Sequence, residues 1–175
     1  MPDDFPCGCQ LNRRRFLTLA GGFGAIAALP SGTMAQPREG AETLLLICNE
    51  PKVWQNANTY MKTRDLAGKY QPVEVEGSAI GLVAEQYQSS RAAFWHTVME
   101  AAALQETRKV IALNHRGCSA MKVAYGLTKI TDKLIETETH RYSLQEFRRQ
   151  MAERNAALEV EIGLIGVDGK VEMFK

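Results

Sequence analysis

Two short apolar runs, Thr43–Ile47 (TLLLI) and residues 109–113 (KVIAL), have almost no polar interruption. Runs of that length and continuity predict strands buried on both faces of a sheet. Residues 71–76 alternate weakly around Val73 and Val75 and predict a further strand. Near the end of the chain, residues 158–165 and 170–174 flank Asp168-Gly169, and an Asp-Gly pair between such segments predicts a hairpin. Helical spacing is plain in residues 91–105, where Phe94, Trp95, Val98, Met99 and Ala102 share one face behind a capping Ser90. Residues 120–125 predict a short helix closed by Gly126. Ser143-Leu144-Gln145-Glu146 is a capping box that opens another helix, running to residue 155. Residues 49–70 are polar and mixed, punctuated by Pro51 and Gly68, and predict no regular element; residues 77–81 read as a turn, with 80–85 as an alternative helix start. Strands alternating with helices give an α/β fold, a mainly parallel sheet flanked by helices with an added antiparallel edge strand.

The N-terminus follows a different pattern. Residues 12–36 read NRRRFLTLAGGFGAIAALPSGTMAQ, three arginines ahead of an apolar run rich in Gly and Ala. That run, residues 16–29, is too short to span a bilayer, which takes about 20 residues. Pro30 follows, and Thr33-Met34-Ala35 is a small-x-small cleavage pattern. Arg13-Arg14 with Phe16-Leu17 resembles a twin-arginine export signal. The division expected is therefore a signal peptide over residues 1–35 and an α/β domain over 36–175. That signal implies export machinery as a partner and a periplasmic or secreted product.

Composition changes the picture in two respects. Loss of residues 1–35 removes three of the 21 basic and two of the 20 acidic residues, leaving 18 of each. A balanced charge without a basic stripe argues against nucleic acid as a partner. The same cut removes Cys7 and Cys9 and leaves Cys48 and Cys118. A cysteine pair in an oxidising compartment reads as a disulfide, and a second reading competes with it. Cys48 follows the first buried strand, and Asn114-His115-Arg116-Gly117-Cys118 follows another. Ligands gather outside the carboxyl ends of parallel strands where the strand order reverses. Two soft thiolates and an imidazole brought together there suit Zn²⁺, with one coordination position left open. Of the other histidines, His96 reads as a half-buried packing residue and His140 as solvated. Arg148, Arg149 and Arg154 read as the solvent face of their helix.

The run Val110-Ile111-Ala112-Leu113-Asn114-His115-Arg116-Gly117-Cys118-Ser119-Ala120-Met121-Lys122 resembles the β-carbonic anhydrase segment V-I-V-x-G-H-x-x-C-G-A-M-K. Leu45-Leu46-Ile47-Cys48-Asn49-Glu50-Pro51-Lys52 is similar to that family's strand and C-x-D-S-R motif, and residues 158–174 to its final strands. The resemblance implies a β-carbonic anhydrase-like fold with Cys48, His115 and Cys118 as zinc ligands. It implies reversible hydration of CO2 to bicarbonate by zinc-bound hydroxide, and a homodimer. Glu50 and Lys52 stand where the family has a catalytic aspartate and its restraining arginine. Lysine is a point charge that cannot grip both carboxylate oxygens in a fork, and glutamate reaches one methylene further. The alternative implied is a non-catalytic zinc-binding domain on the same fold, with Glu50 closing the metal site.

Overall fold

The computed structural model describes residues 41–126 and 128–175. The signal expected over residues 1–35 lies outside the described residues, as do Cys7 and Cys9. Among the described residues, no helix is long and apolar enough to cross a membrane.

Five strands form one sheet: β1 (Thr43–Ile47), β2 (Tyr70–Glu74), β3 (Lys109–His115), β4 (Glu159–Ile165) and β5 (Val171–Phe174). Their order is β2-β1-β3-β4-β5. β1 to β4 are parallel, and β5 returns antiparallel along β4. The helices are α1 (Pro51–Thr63), α2 (Ala79–Val83), α3 (Gln88–Leu104), α4 (Ser119–Tyr125), α5 (Thr128–Thr131) and α6 (Lys133–Arg154). The α/β fold with a parallel sheet and an antiparallel edge is the one the alternation of apolar runs predicts.

Strand side chains alternate between faces, and that alternation divides the core in two. Leu44, Leu46, Val110, Ala112, Ile162 and Leu164 meet Trp95 and Val98 of α3 and Leu144, Phe147 and Met151 of α6. Trp95 stacks on Phe147 with ring centroids 5.6 Å apart. Leu45, Ile47, Ile111, Leu113 and Ile165 face the other way, onto Val53, Ala57 and Met61 of α1 and Met121 and Ala124 of α4. Burial of each large side chain contributes about 1.5–3 kcal/mol. Both faces are covered, which is why the central runs are continuously apolar. At one rim β2 carries Pro72 opposite Leu45, a residue that edge strands accommodate because its missing N–H can face outward.

Several local expectations need correction. Residues 51–63 form α1, with Pro51 in its first turn, where its fixed φ and missing N–H suit a helix start. Its buried face is only Val53, Ala57 and Met61, too thin a stripe to stand out from polar surroundings. α3 begins at Gln88, so Ser90 lies inside it and caps nothing. The capping box at Ser143 is absent for the same reason: Ser143 is mid-helix, and its hydroxyl donates to Thr139 O at 2.9 Å. The cap of α6 is Asp132, whose Oδ1 accepts from the Leu134 and Ile135 amides at 2.8 and 3.0 Å.

His140 is fully buried, not solvated. His96 is exposed and lies 3.6 Å from Glu100, with no packing role. Arg149 does face solvent, but Arg154 lies 3.8 Å over the Trp95 ring and Arg148 donates to Phe174 O at 3.1 Å.

The turn after β2 crosses the sheet's carboxyl edge at close range. A Cβ on Gly81 would lie 2.1 Å from Glu76 O, inside any tolerable contact. Gly81→Ala should therefore cost about 1–3 kcal/mol as an overpacking change. The measurement is urea unfolding, with a lower midpoint and an unchanged slope expected.

Candidate metal centre

The sheet order reverses between β1 and β3: the chain steps outward from β1 to β2, then inward past β1 to β3. Ile47 is paired with Leu113, so Cys48 leaves β1 beside the last two residues of β3. His115 ends β3 opposite Ile165 of β4. Arg116 N donates to Ile165 O at 3.0 Å, and Gly117 turns the chain at φ +68°. Cys118 then sits at the N-cap of α4. Glu50 occupies the same position ahead of α1. Two strand ends and two helix starts thus converge on one point.

The Sγ atoms of Cys48 and Cys118, a ring nitrogen of His115 and a carboxylate oxygen of Glu50 all lie within 4.8 Å of one another. Both cysteines are free thiols, so the disulfide reading does not hold. His115 Nδ1 lies 3.1 Å from Arg116 O. A carbonyl can only accept, so Nδ1 carries the proton and Nε2 the lone pair. Nε2 is buried without a hydrogen-bond partner, 3.6 Å from Glu50 Oε1. An orphaned, buried lone pair aimed into two thiols and a carboxylate is what a zinc-type donor set needs. The four side chains can hold a metal ion.

Glu50 is held from two directions. Ser119 N donates to Oε1 at 2.7 Å, and Lys52 Nζ lies 3.2 Å from Oε2. Each oxygen has its own donor, so the α4 amide supplies the second contact that lysine alone cannot give. Burial pushes the Glu50 carboxyl up, but Ser119 N–H and Lys52 outweigh it and the net shift is downward. The carboxylate is ionised at neutral pH. A cleft of about 160 Å³ opens beside His115 between Lys52, Val53, Asn56, Arg116, Ile165 and Gly166.

Of the residues expected to form the site, Cys48, Glu50, His115 and Cys118 come together, and Lys52 reaches the group through Glu50. Gly77, Asn114, Arg116, Glu136 and His140 complete the surroundings. Gly77 N donates to Cys48 Sγ at 3.4 Å. Glu136 accepts from Gly117 N at 2.7 Å and from Arg116 Nη1 at 2.9 Å. Asn114 Nδ2 is 3.2 Å from His140 Nδ1, while its Oδ1 accepts from Ala79 N at 3.2 Å. The readable signal for Glu136 and His140 was helical spacing. Glu136, His140, Ser143, Phe147 and Met151 recur every three or four residues along the buried face of α6.

In the metal-free protein the two thiols share a proton. The Cys118 thiol, with the amides of Glu50 and Gly77, outweighs burial and holds Cys48 well below the usual thiol range. Cys118 is pushed up by the Cys48 sulfur and by burial. The metal-free protein should therefore show the ultraviolet absorbance of one thiolate across neutral pH, lost only when the pH falls well below the ordinary thiol range. Cys118→Ala removes the largest stabilising contact and should move that midpoint upward.

No family model matches the chain. An uncharacterized protein of Rickettsia bellii is 29% identical over 134 residues, covering 77% of this chain and 82% of its own. A second, from Rickettsia conorii, is 27% identical over 134 residues, covering 77% of this chain and 72% of its own. Among solved structures, the β-carbonic anhydrase CcaA is similar with a TM-score of 0.50 and 13% identity, over 77% of this chain and 79% of its own. The carbonic anhydrase of Streptococcus mutans gives a TM-score of 0.48 at 16% identity, over 93% and 92% of the two chains. The mainly parallel five-stranded sheet flanked by helices is the fold this chain shares with CcaA.

Proposed function

We propose that the domain over residues 36–175 is a zinc-dependent carbonic anhydrase-like enzyme that interconverts CO2 and bicarbonate. Cys48, His115 and Cys118 hold the metal. The observation that carries this reading is the buried, partnerless Nε2 of His115 facing two free thiols and a restrained carboxylate. Zinc bound by these residues supplies Lewis acidity that brings the ionisation of water from about 15.7 down toward 7.

The chain's own residues divide the remaining work. Glu50, ionised and held at both oxygens, accepts a proton or hydrogen bond from water at the centre. Lys52 and the Ser119 amide hold Glu50 in place and keep it charged. The cleft beside His115 admits a molecule as small as CO2, and its Lys52 and Arg116 suit a product anion. Two copies of the chain form a homodimer in this reading.

One observation favours a second reading, a closed and non-catalytic zinc site. Glu50 Oε1 is 3.6 Å from His115 Nε2, near the separation of two ligands on one tetrahedral ion. The two readings differ in what Glu50 does, and substitutions there separate them.

Metal analysis of protein purified without added zinc should give one ion per chain, and stopped-flow CO2 hydration should be measurable. Glu50→Gln should retain the metal and lose about 100-fold or more in kcat, the scale of a lost proton acceptor. The double change Glu50→Asp with Lys52→Arg lowers the rate if Glu50 is the acceptor. A rate that rises instead supports closure by Glu50. Residues 1–35 act as a twin-arginine signal in this proposal and send the domain to the periplasm or beyond. Replacing Arg13 and Arg14 with Lys should leave the protein in the cytoplasm on cell fractionation.

A further inference from the structure

We infer that Glu136 is a positioning residue for the metal centre, acting on His115 through the single peptide between Arg116 and Gly117. The inference rests on the zinc reading above and concerns a residue that touches none of the ligands' donor atoms. The Arg116 carbonyl and the Gly117 N–H belong to one planar unit. Glu136 Oε1 accepts from that N–H at 2.7 Å, and the carbonyl accepts from His115 Nδ1 at 3.1 Å. A charge on one end of a peptide strengthens the hydrogen bond at the other. The Glu136 carboxylate therefore makes the carbonyl a better acceptor, favours the proton on Nδ1 and leaves the lone pair on Nε2. Metal-binding histidines usually give their second nitrogen to a carboxylate or a backbone carbonyl. Here the two are joined in series.

The surroundings hold Glu136 to that task. It is 5% exposed. Arg116 Nη1 donates to its Oε2 at 2.9 Å, and Arg116 Nη2 reaches the neighbouring Thr137 hydroxyl at 2.8 Å. Residue 116 thus contacts the same helix through its side chain and, by way of Gly117, through its own peptide. Behind the carboxylate, His140 takes a hydrogen bond from Asn114 on Nδ1, because the Asn114 oxygen is already used by Ala79 N. The His140 proton is then on Nε2, which lies 4.0 Å from Glu136 Oε1. Asn114 precedes His115 and Gly117 follows it by two, so α6 holds the ligand loop on both sides.

The test compares Glu136→Gln with Thr137→Val. The first removes the charge at nearly constant shape; the second removes the Arg116–Thr137 contact and leaves the carboxylate with its Arg116 ion pair. Readouts are zinc affinity by competition with a chromophoric chelator and the visible spectrum of the cobalt-loaded protein. Glu136→Gln should weaken zinc binding about 10–100-fold and shift the cobalt bands, while Thr137→Val stays within about twofold of wild type in affinity. Glu136→Asp, which keeps the charge on a shorter arm, should recover part of the loss and carries the test if the glutamine variant does not fold. Wild-type affinity and an unshifted cobalt spectrum in both Glu136 variants overturn the inference and leave the zinc reading standing. An equal loss in Thr137→Val reduces Glu136 to a packing role and overturns it too. A wild-type chain that takes up neither zinc nor cobalt removes the zinc reading and this inference with it.

Discussion

Cys48 and His115 are separated by nearly half the length of the domain, and only the parallel register of β1 on β3 brings them together. Ile47 opposite Leu113 fixes the residue that leaves β1 against the residues that end β3. Because strand side chains alternate, a slip of one residue would turn Leu45 and Ile47 out of one core layer and into the other. It would also draw Cys48 away from the loop carrying His115 and Cys118. The same side-chain packing that stabilises the sheet therefore sets the geometry of the donor set. The reversal of strand order at this pair leaves the space outside their ends unfilled by a crossover.

What sequence reasoning could reach follows from how each element is stabilised. β1 and β3 are covered on both faces, so nearly every residue must be apolar and the runs are visible by eye. α1 needs only one apolar residue per turn to cover its side of the sheet, and Pro51 at its start resembles punctuation. The start of α6 is hidden in the sequence because its cap, Asp132, lies 11 residues before the serine that mimics one. Its buried stripe also includes Glu136, Thr137, His140 and Ser143. Polar residues in that number look like solvent-facing positions unless the spacing is given more weight than the residue type. Of the candidate site, the residues with strong chemical identity were legible: two cysteines, a histidine and a carboxylate beside them. The hydrogen bonds that orient them were not, since they depend on a helix arriving from later in the chain.

The contact between Glu50 and Ser119 illustrates how backbone can replace a side chain. Lysine offers one point of charge where a guanidinium would offer a fork. The start of α4 presents an amide to the oxygen that Lys52 leaves free. A residue-by-residue reading sees a weaker pair at positions 50 and 52. The folded chain has a carboxylate with a donor on each oxygen. Burying Arg116 with Glu136 is a similar exchange. Such pairs are costly to desolvate and contribute more to geometric definition than to stability, and here the geometry defined is that of a two-residue spacer between His115 and Cys118.

The distance along the chain between the two halves of the donor set has a temporal consequence. Cys48 directly follows β1, the first described strand to emerge during synthesis, whereas His115 ends β3, Cys118 follows it, and Glu136 comes later still. Until β1 and β3 pair, Cys48 and the His-x-x-Cys fragment stay apart, and neither is a good chelator alone. On the zinc reading, tight capture of an ion would wait for the central seam of the sheet to close, and occupancy would record that a given copy had finished folding.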